Sequence, residues 1–92
     1  MTTEQTKKKT TGENQDKSME KRTLILHNDD VHTFDYVIEA LIKICRHEYF
    51  QASQCATITH FNGKCDIKSG YFHDLKIMKD ALTEKELTVT IE

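Results

Sequence analysis

The sequence predicts an α+β domain: a small antiparallel three-stranded sheet with helices packed on one face, in the order β-α-α-β-α-β. Three observations carry this. Thr23–His27 is a β-branched and apolar run, Leu87-Thr88-Val89-Thr90-Ile91 alternates apolar and polar residues, and between them lie three stretches with apolar residues at helical spacing.

Thr23-Leu24-Ile25-Leu26-His27 reads as a strand that stops at Asn28-Asp29-Asp30, residues that favour turns by bonding their own backbone. From Phe34 the apolar residues fall at 34, 37, 38, 41, 44 and 45, one buried face of a helix. Thr33 is placed to cap it, and Asp35 in the first turn suits the helix dipole. The pattern breaks at Arg46-His47-Glu48 and resumes from Tyr49 or Phe50 through Ala52, Ala56 and Thr59, a second helix ending before Asn62-Gly63. Lys64–Lys68 reads as a short strand followed by a turn at Ser69-Gly70. Leu75, Met78, Ala81 and Leu82 share one face of a third helix from about His73 to Thr83, and Leu87–Ile91 is the last, half-buried strand. Cys45 falls on the apolar face of the first helix and reads as a core residue; His47 and His73 read as solvent-facing, and Tyr36 and Tyr49 as covers of the core edge.

The chain has 92 residues, no Pro, no Trp and 30% charged residues, which suits one small domain with an extension and excludes a two-domain cofactor enzyme or a barrel. Residues 1–22 carry Met1 and Met19 as their only apolar side chains and no aromatic residue. Such a segment buries too little surface to offset its ordering entropy, so it reads as a disordered amino-terminal extension, with the folded domain at 23–92. Six basic against four acidic side chains give the extension a net charge of +2, leaving −4 on the domain. A negative domain argues against nucleic acid, whose phosphates need clustered Lys and Arg on the folded surface. No apolar run approaches the roughly 20 residues of a membrane span or the about 7–15 of a signal peptide, which argues against a membrane partner. Three cysteines without a C-x-x-C spacing signal neither a disulfide framework nor a zinc ribbon, and a reducing, cytoplasmic setting fits them.

The densest group of polar side chains, His27 to Thr33, lies between a strand end and a helix start, where a rigid scaffold positions binding residues. Its plainest role is to shape the turn and cap the first helix. His60, near the end of the second helix, comes near this loop if that helix folds back along the first. An Asn carbonyl, an Asp carboxylate and a neutral imidazole nitrogen are three acceptors, the set that holds a primary ammonium group.

Leu24–Asp30, Phe34-Asp35-Tyr36-Val37-Ile38, Ala52-Ser53-Gln54 and His60-Phe61-Asn62-Gly63-Lys64 closely resemble the Clp protease adaptor family ClpS. There the pattern reads strand, N-D-D, a V-I-rich helix, A-T-Q and H-Y-x-G-K. The match runs without a gap from about Thr23 to Lys64 and more loosely to Glu92. The resemblance implies a ClpS-like sandwich that binds free bulky hydrophobic amino-terminal residues (N-degrons). It would deliver their proteins to an Hsp100-class Clp AAA+ unfoldase, of the ClpA or ClpC type, with the ClpP peptidase. It implies no catalysis; no cofactor or metal is expected, and with no coiled coil or long exposed strand nothing calls for more than a monomer. Carried over by position, Asn28, Asp29 and His60 would take the α-ammonium, and His32, Thr33, Phe34, Val37, Ala56, Thr59 and Thr88 would line the side-chain pocket. Asp74 and Lys79 are the nearest charged candidates for the unfoldase contact, and the leader would assist handover.

The chain departs from the family pattern inside that site. Thr33 stands where Pro is usual, His32 where Thr is common and Phe34 where Met is typical, so a stiffer ring guards the entrance. Ala56, Thr59 and Thr88 replace larger or more apolar residues, which deepens the pocket and makes it more polar. Two other readings compete: a ClpS-like domain that binds the unfoldase only to regulate it, and a metal-binding module using His27, Asp29, Asp30, His32 and His60. Joint presence of Asn28, Asp29 and His60 favours the adaptor over the first. The lack of H-E-x-x-H or C-x-x-C spacing counts against the second.

Overall fold

The computed structural model describes residues 19–92. The leader reading for residues 1–18 lies outside the described residues. The elements are β1 (Lys21–His27), α1 (Phe34–Cys45), α2 (Tyr49–Asn62), β2 (Lys64–Tyr71), α3 (Phe72–Glu84) and β3 (Thr88–Ile91). Both edge strands pair antiparallel with β1, giving the order β2-β1-β3. The predicted three-stranded sheet and element order are those observed.

β1 is central because it supplies the residues that need both neighbours. Leu24 and Leu26 point to the helical side and pack with Ile67 of β2, Val89 of β3 and Leu41, Leu75 and Leu82 of the helices. Burying each such side chain contributes roughly 1.5–3 kcal/mol, so this layer holds the sandwich together. In α2 the buried face is Ala52, Cys55, Ala56 and Thr59, small residues that admit close packing where α1 uses Ile38 and Leu41. Thr33 caps α1 as its sequence position predicts, its Oγ1 accepting the Tyr36 N–H at 3.1 Å.

Three expectations change. β1 begins at Lys21, so Lys21 and Arg22, read from composition as leader, are strand residues opposite Tyr71 and Gly70. For the same reason Ser69-Gly70 makes no turn: Thr23 and Arg22 pair with those two residues, and β2 runs on to Tyr71 and straight into α3. The Phe72 N–H then donates to the Glu20 carbonyl at 2.8 Å.

His47, expected in solvent, is only 4% exposed. Arg46 ends α1 in the left-handed conformation (φ 62°), which turns the chain back over the sheet. His47 Nε2 then meets the Ile67 carbonyl at 2.7 Å. A carbonyl only accepts, so Nε2 carries the proton and pins the α1–α2 corner to β2. All three cysteines are free and buried. Burial pushes the Cys45 thiol up to about 11 and the Cys65 thiol up to about 12, so both pack as protonated, weakly polar groups.

Candidate functional site

The loop after β1 is tied to the end of α2. The Asn28 N–H donates to the Gly63 carbonyl at 2.8 Å, and Gly63, at φ 93°, closes α2 by donating its own N–H to Thr59. Glycine suits that left-handed position because a Cβ would strain it. His60 lies one turn before this junction, so the fold that closes α2 also carries His60 to the loop.

Asp29 organises the loop. Its Oδ1 accepts the N–H of Val31 at 2.8 Å and of His32 at 3.0 Å. The His32 ring nitrogen Nδ1 lies 3.0 Å from both carboxylate oxygens. Burial would raise the Asp29 carboxyl, but the His32 amide and ring and the Val31 amide outweigh it and hold the group below its ordinary value. The His32 ring stacks on Tyr36, centroids 4.8 Å apart, and the Tyr36 hydroxyl donates to the Lys85 carbonyl at 2.9 Å.

Beneath this loop lies a cavity of about 50 Å³ between β1, α1 and α2. Asn28, Asp29 and His60 stand on its wall together with His32, Thr33, Phe34, Val37, Ala56 and Thr59. Phe34 and His60 close the gap between α1 and α2 with ring centroids 5.5 Å apart, and Phe61 meets His60 edge-on at 4.9 Å. The Thr59 hydroxyl donates to the Cys55 carbonyl at 2.7 Å, so its proton is spent within the helix. The arrangement offers three polar acceptors on the rim of an apolar cleft.

Thr88 is not part of this wall, and Leu87 takes its place. Leu87 and Val89 are both buried on the helical side, and strand alternation then sends Thr88 to the opposite face, where it is exposed opposite His27. The same alternation, read through Leu24 and Leu26, is the signal that would have added Leu26, another wall residue. Val31 (82% exposed) and Phe61 (75% exposed) are apolar side chains in the loop and helix end that bear the site; both fall inside the stretches singled out in the sequence, but neither carries a predicted role.

Asp74 and Lys79 lie elsewhere. Five residues apart on α3, they point about 140° away from each other. Asp74 borders an open groove of about 400 Å³ with Ile44, Arg46, Gly70 and Ile77, at the far end of α1. His27 Nε2 pairs with Thr90 Oγ1 at 2.8 Å. Among the described residues no group of three or more His, Cys, Asp or Glu side chains is arranged to hold a metal ion, and no helix is long and apolar enough to cross a membrane.

Residues 17–90 match the family model described as ATP-dependent Clp protease adaptor protein ClpS. No curated protein matches the chain. Among solved structures, Agrobacterium tumefaciens ClpS2 bound to L-phenylalaninamide is similar, with a TM-score of 0.70 and 19% identity over 80% of this chain and 96% of that one. At that identity the structural likeness speaks for the fold, and the family rests on the sequence match, which spans well over half of the chain. The chain therefore belongs to the ClpS family of Clp protease adaptors.

Proposed function

We propose that this protein recognises other proteins by a free, bulky hydrophobic amino-terminal residue. It would pass them to an Hsp100-class Clp unfoldase of the ClpA or ClpC type coupled to the ClpP peptidase, acting in the cytoplasm as a monomer and catalysing nothing itself. One observation carries this: the cavity under the β1–α1 loop has Asn28, Asp29 and His60 on the same wall as Leu26, Val37, Ala56 and Leu87.

An α-amino group has a pKa near ~7.7–8.0 and is mostly cationic at neutral pH, with three N–H donors to match three acceptors. The apolar side chain enters the cleft, where burying a Leu or Phe contributes roughly 1.5–3 kcal/mol and separates it from Ser or Gly. L-Phenylalaninamide, which the Agrobacterium protein binds, has this chemistry in one residue: a free amine, a bulky ring and an amide in place of the next peptide bond. Asp29 is held ionised by its own loop, so its charge is in place before a ligand arrives.

The test is fluorescence anisotropy with peptides beginning Leu, Phe, Tyr, Trp or Ser, each with a free and an acetylated terminus. Acetylation removes the charge and leaves one donor, so binding of free bulky termini that acetylation abolishes is the expected result. Equal binding of both forms overturns the proposal. Binding to the unfoldase with no binding of any free terminus replaces it with the regulatory reading.

A further inference from the structure

The geometry points to His32 as a positioning residue of the ammonium site: its imidazole holds the Asp29 carboxylate and sets how much negative charge an arriving amine meets. This assignment rests on the amino-terminal reading above and deepens it, moving His32 from the hydrophobic wall to the polar one. The contact is specific. Nδ1 lies 3.0 Å from each oxygen of Asp29. A carboxylate only accepts, so Nδ1 carries a proton and Nε2 is the nitrogen left to gain or lose one.

The ring has little freedom to leave this position. Tyr36, in the first turn of α1, stacks against it with an interplanar angle of 18°. Tyr36 is in turn anchored through its hydroxyl to the Lys85 carbonyl in the α3–β3 turn. A line of contacts therefore runs from that turn through Tyr36 and His32 to Asp29, so the carboxylate is oriented by three segments of the chain. The titratable groups around His32 are Asp29 on its own loop, Tyr36 on α1, and His60, which borders the same cavity from α2; His27 also borders it from β1, but its ring is held by Thr90. The α3–β3 turn contributes the Lys85 backbone, and Asp30 and Asp35 are exposed neighbours along the chain.

Two charge states follow. With Nε2 bare, the Asp29–His32 pair carries one negative charge and faces the ammonium as an ionised, oriented acceptor. With Nε2 protonated, the pair is an internally compensated ion pair, and the ammonium must compete with an imidazolium already seated on the carboxylate. His60 loses its role as acceptor in the same direction, so acid opposes binding through two imidazoles. By linkage, the acid arm of log Kd against pH should be steeper than one imidazole alone would make it.

The experiment measures the affinity of a peptide with a free amino-terminal Phe from pH 8 to pH 5, using the full chain, His32→Asn and His32→Phe. Asn presents an amide N–H to Asp29 but does not titrate, so the acid arm should become shallower. Phe keeps the stack on Tyr36 and loses the donor, so affinity at pH 8 should fall several-fold. A parental slope in His32→Asn, or parental affinity in His32→Phe, overturns the assignment. A carbon-13 NMR titration of the Asp29 carboxyl in the free protein gives a readout without ligand. His32→Phe should move the Asp29 titration upward, and an unmoved titration overturns the positioning role. Failure of the parent to bind free termini would instead overturn the amino-terminal reading, so the two failures are distinct.

Discussion

At Asp29, burial and hydrogen bonding pull in opposite directions, and hydrogen bonding from His32 and Val31 wins. The consequence for stability has a definite sign. A carboxyl held below its ordinary value of 3.8 in the folded chain is protonated first in the unfolded one. The unfolded state then binds more protons, and stability falls as pH drops through that window; above about pH 5 the contribution is fully present. Urea unfolding between pH 3 and pH 7 should therefore show an acid arm that Asp29→Asn flattens, and an arm of equal slope in the variant would contradict the loop geometry. His60 is tested by binding: His60→Ala removes one of the three proposed acceptors, so a Phe-starting peptide should bind at least several-fold more weakly. The polar part of this site was legible because a turn-forming N-D-D and a helix-end H-F-N-G impose their own geometry. The wall was less so. Thr88 was misplaced because its direction depends on Leu87 and Val89, and the contact between Asp29 and His32 depends on ring placement that spacing alone does not give.

Among the elements, those with strong local periodicity were legible and those defined by pairing were not. The stripe of Ile38, Leu41 and Cys45 marks α1 without any tertiary information. By contrast, Ser69-Gly70 carries turn chemistry but is held extended by Arg22 and Thr23, which lie nearly fifty residues away. Gly63 and Gly70 separate the cases. Gly63 has φ 93° with open space around it, so Gly63→Ala meets no clash and suffers only backbone strain, costing about 1–2 kcal/mol. A Cβ at Gly70 would sit 3.9 Å from Leu75 Cδ2, ordinary contact in an extended strand, so Gly70→Ala should be neutral or gain about 0.4–1 kcal/mol. Thermal melts of the two variants should move apart, and equal shifts would contradict the assigned conformations. His47 was misread because helical spacing ends at Cys45 and the left-handed Arg46 redirects the chain. His47→Ala should cost about 1–3 kcal/mol in urea unfolding, since it leaves the Ile67 carbonyl without its donor, and unchanged stability would remove His47 from the corner.

For the whole molecule, the 12 residues of α1 separate the cavity at its amino end from the Asp74 groove beyond its carboxyl end, about 18 Å along the helix. On the proposed function, peptide capture and delivery would be separable, and the beginning of the chain is where to divide them. The sheet needs Lys21 and Arg22, which pair with Tyr71 and Gly70, and it needs Glu20, whose carbonyl receives the Phe72 N–H at 2.8 Å. Removing residues 1–22 should lower the melting temperature, because β2 loses its partners at the point where it enters α3. Removing residues 1–18 spares every one of these contacts, so the melting temperature and the affinity for a Phe-starting peptide should stay at their full-length values. If those residues serve handover, degradation of a Phe-starting substrate by the reconstituted unfoldase and peptidase should nevertheless slow. Lost peptide binding on removal of 1–18 would place part of that segment at the site. Unimpaired degradation would confine delivery to the folded surface, and the exposed Asp74 beside Arg46 and Ile77 would be the next position to substitute.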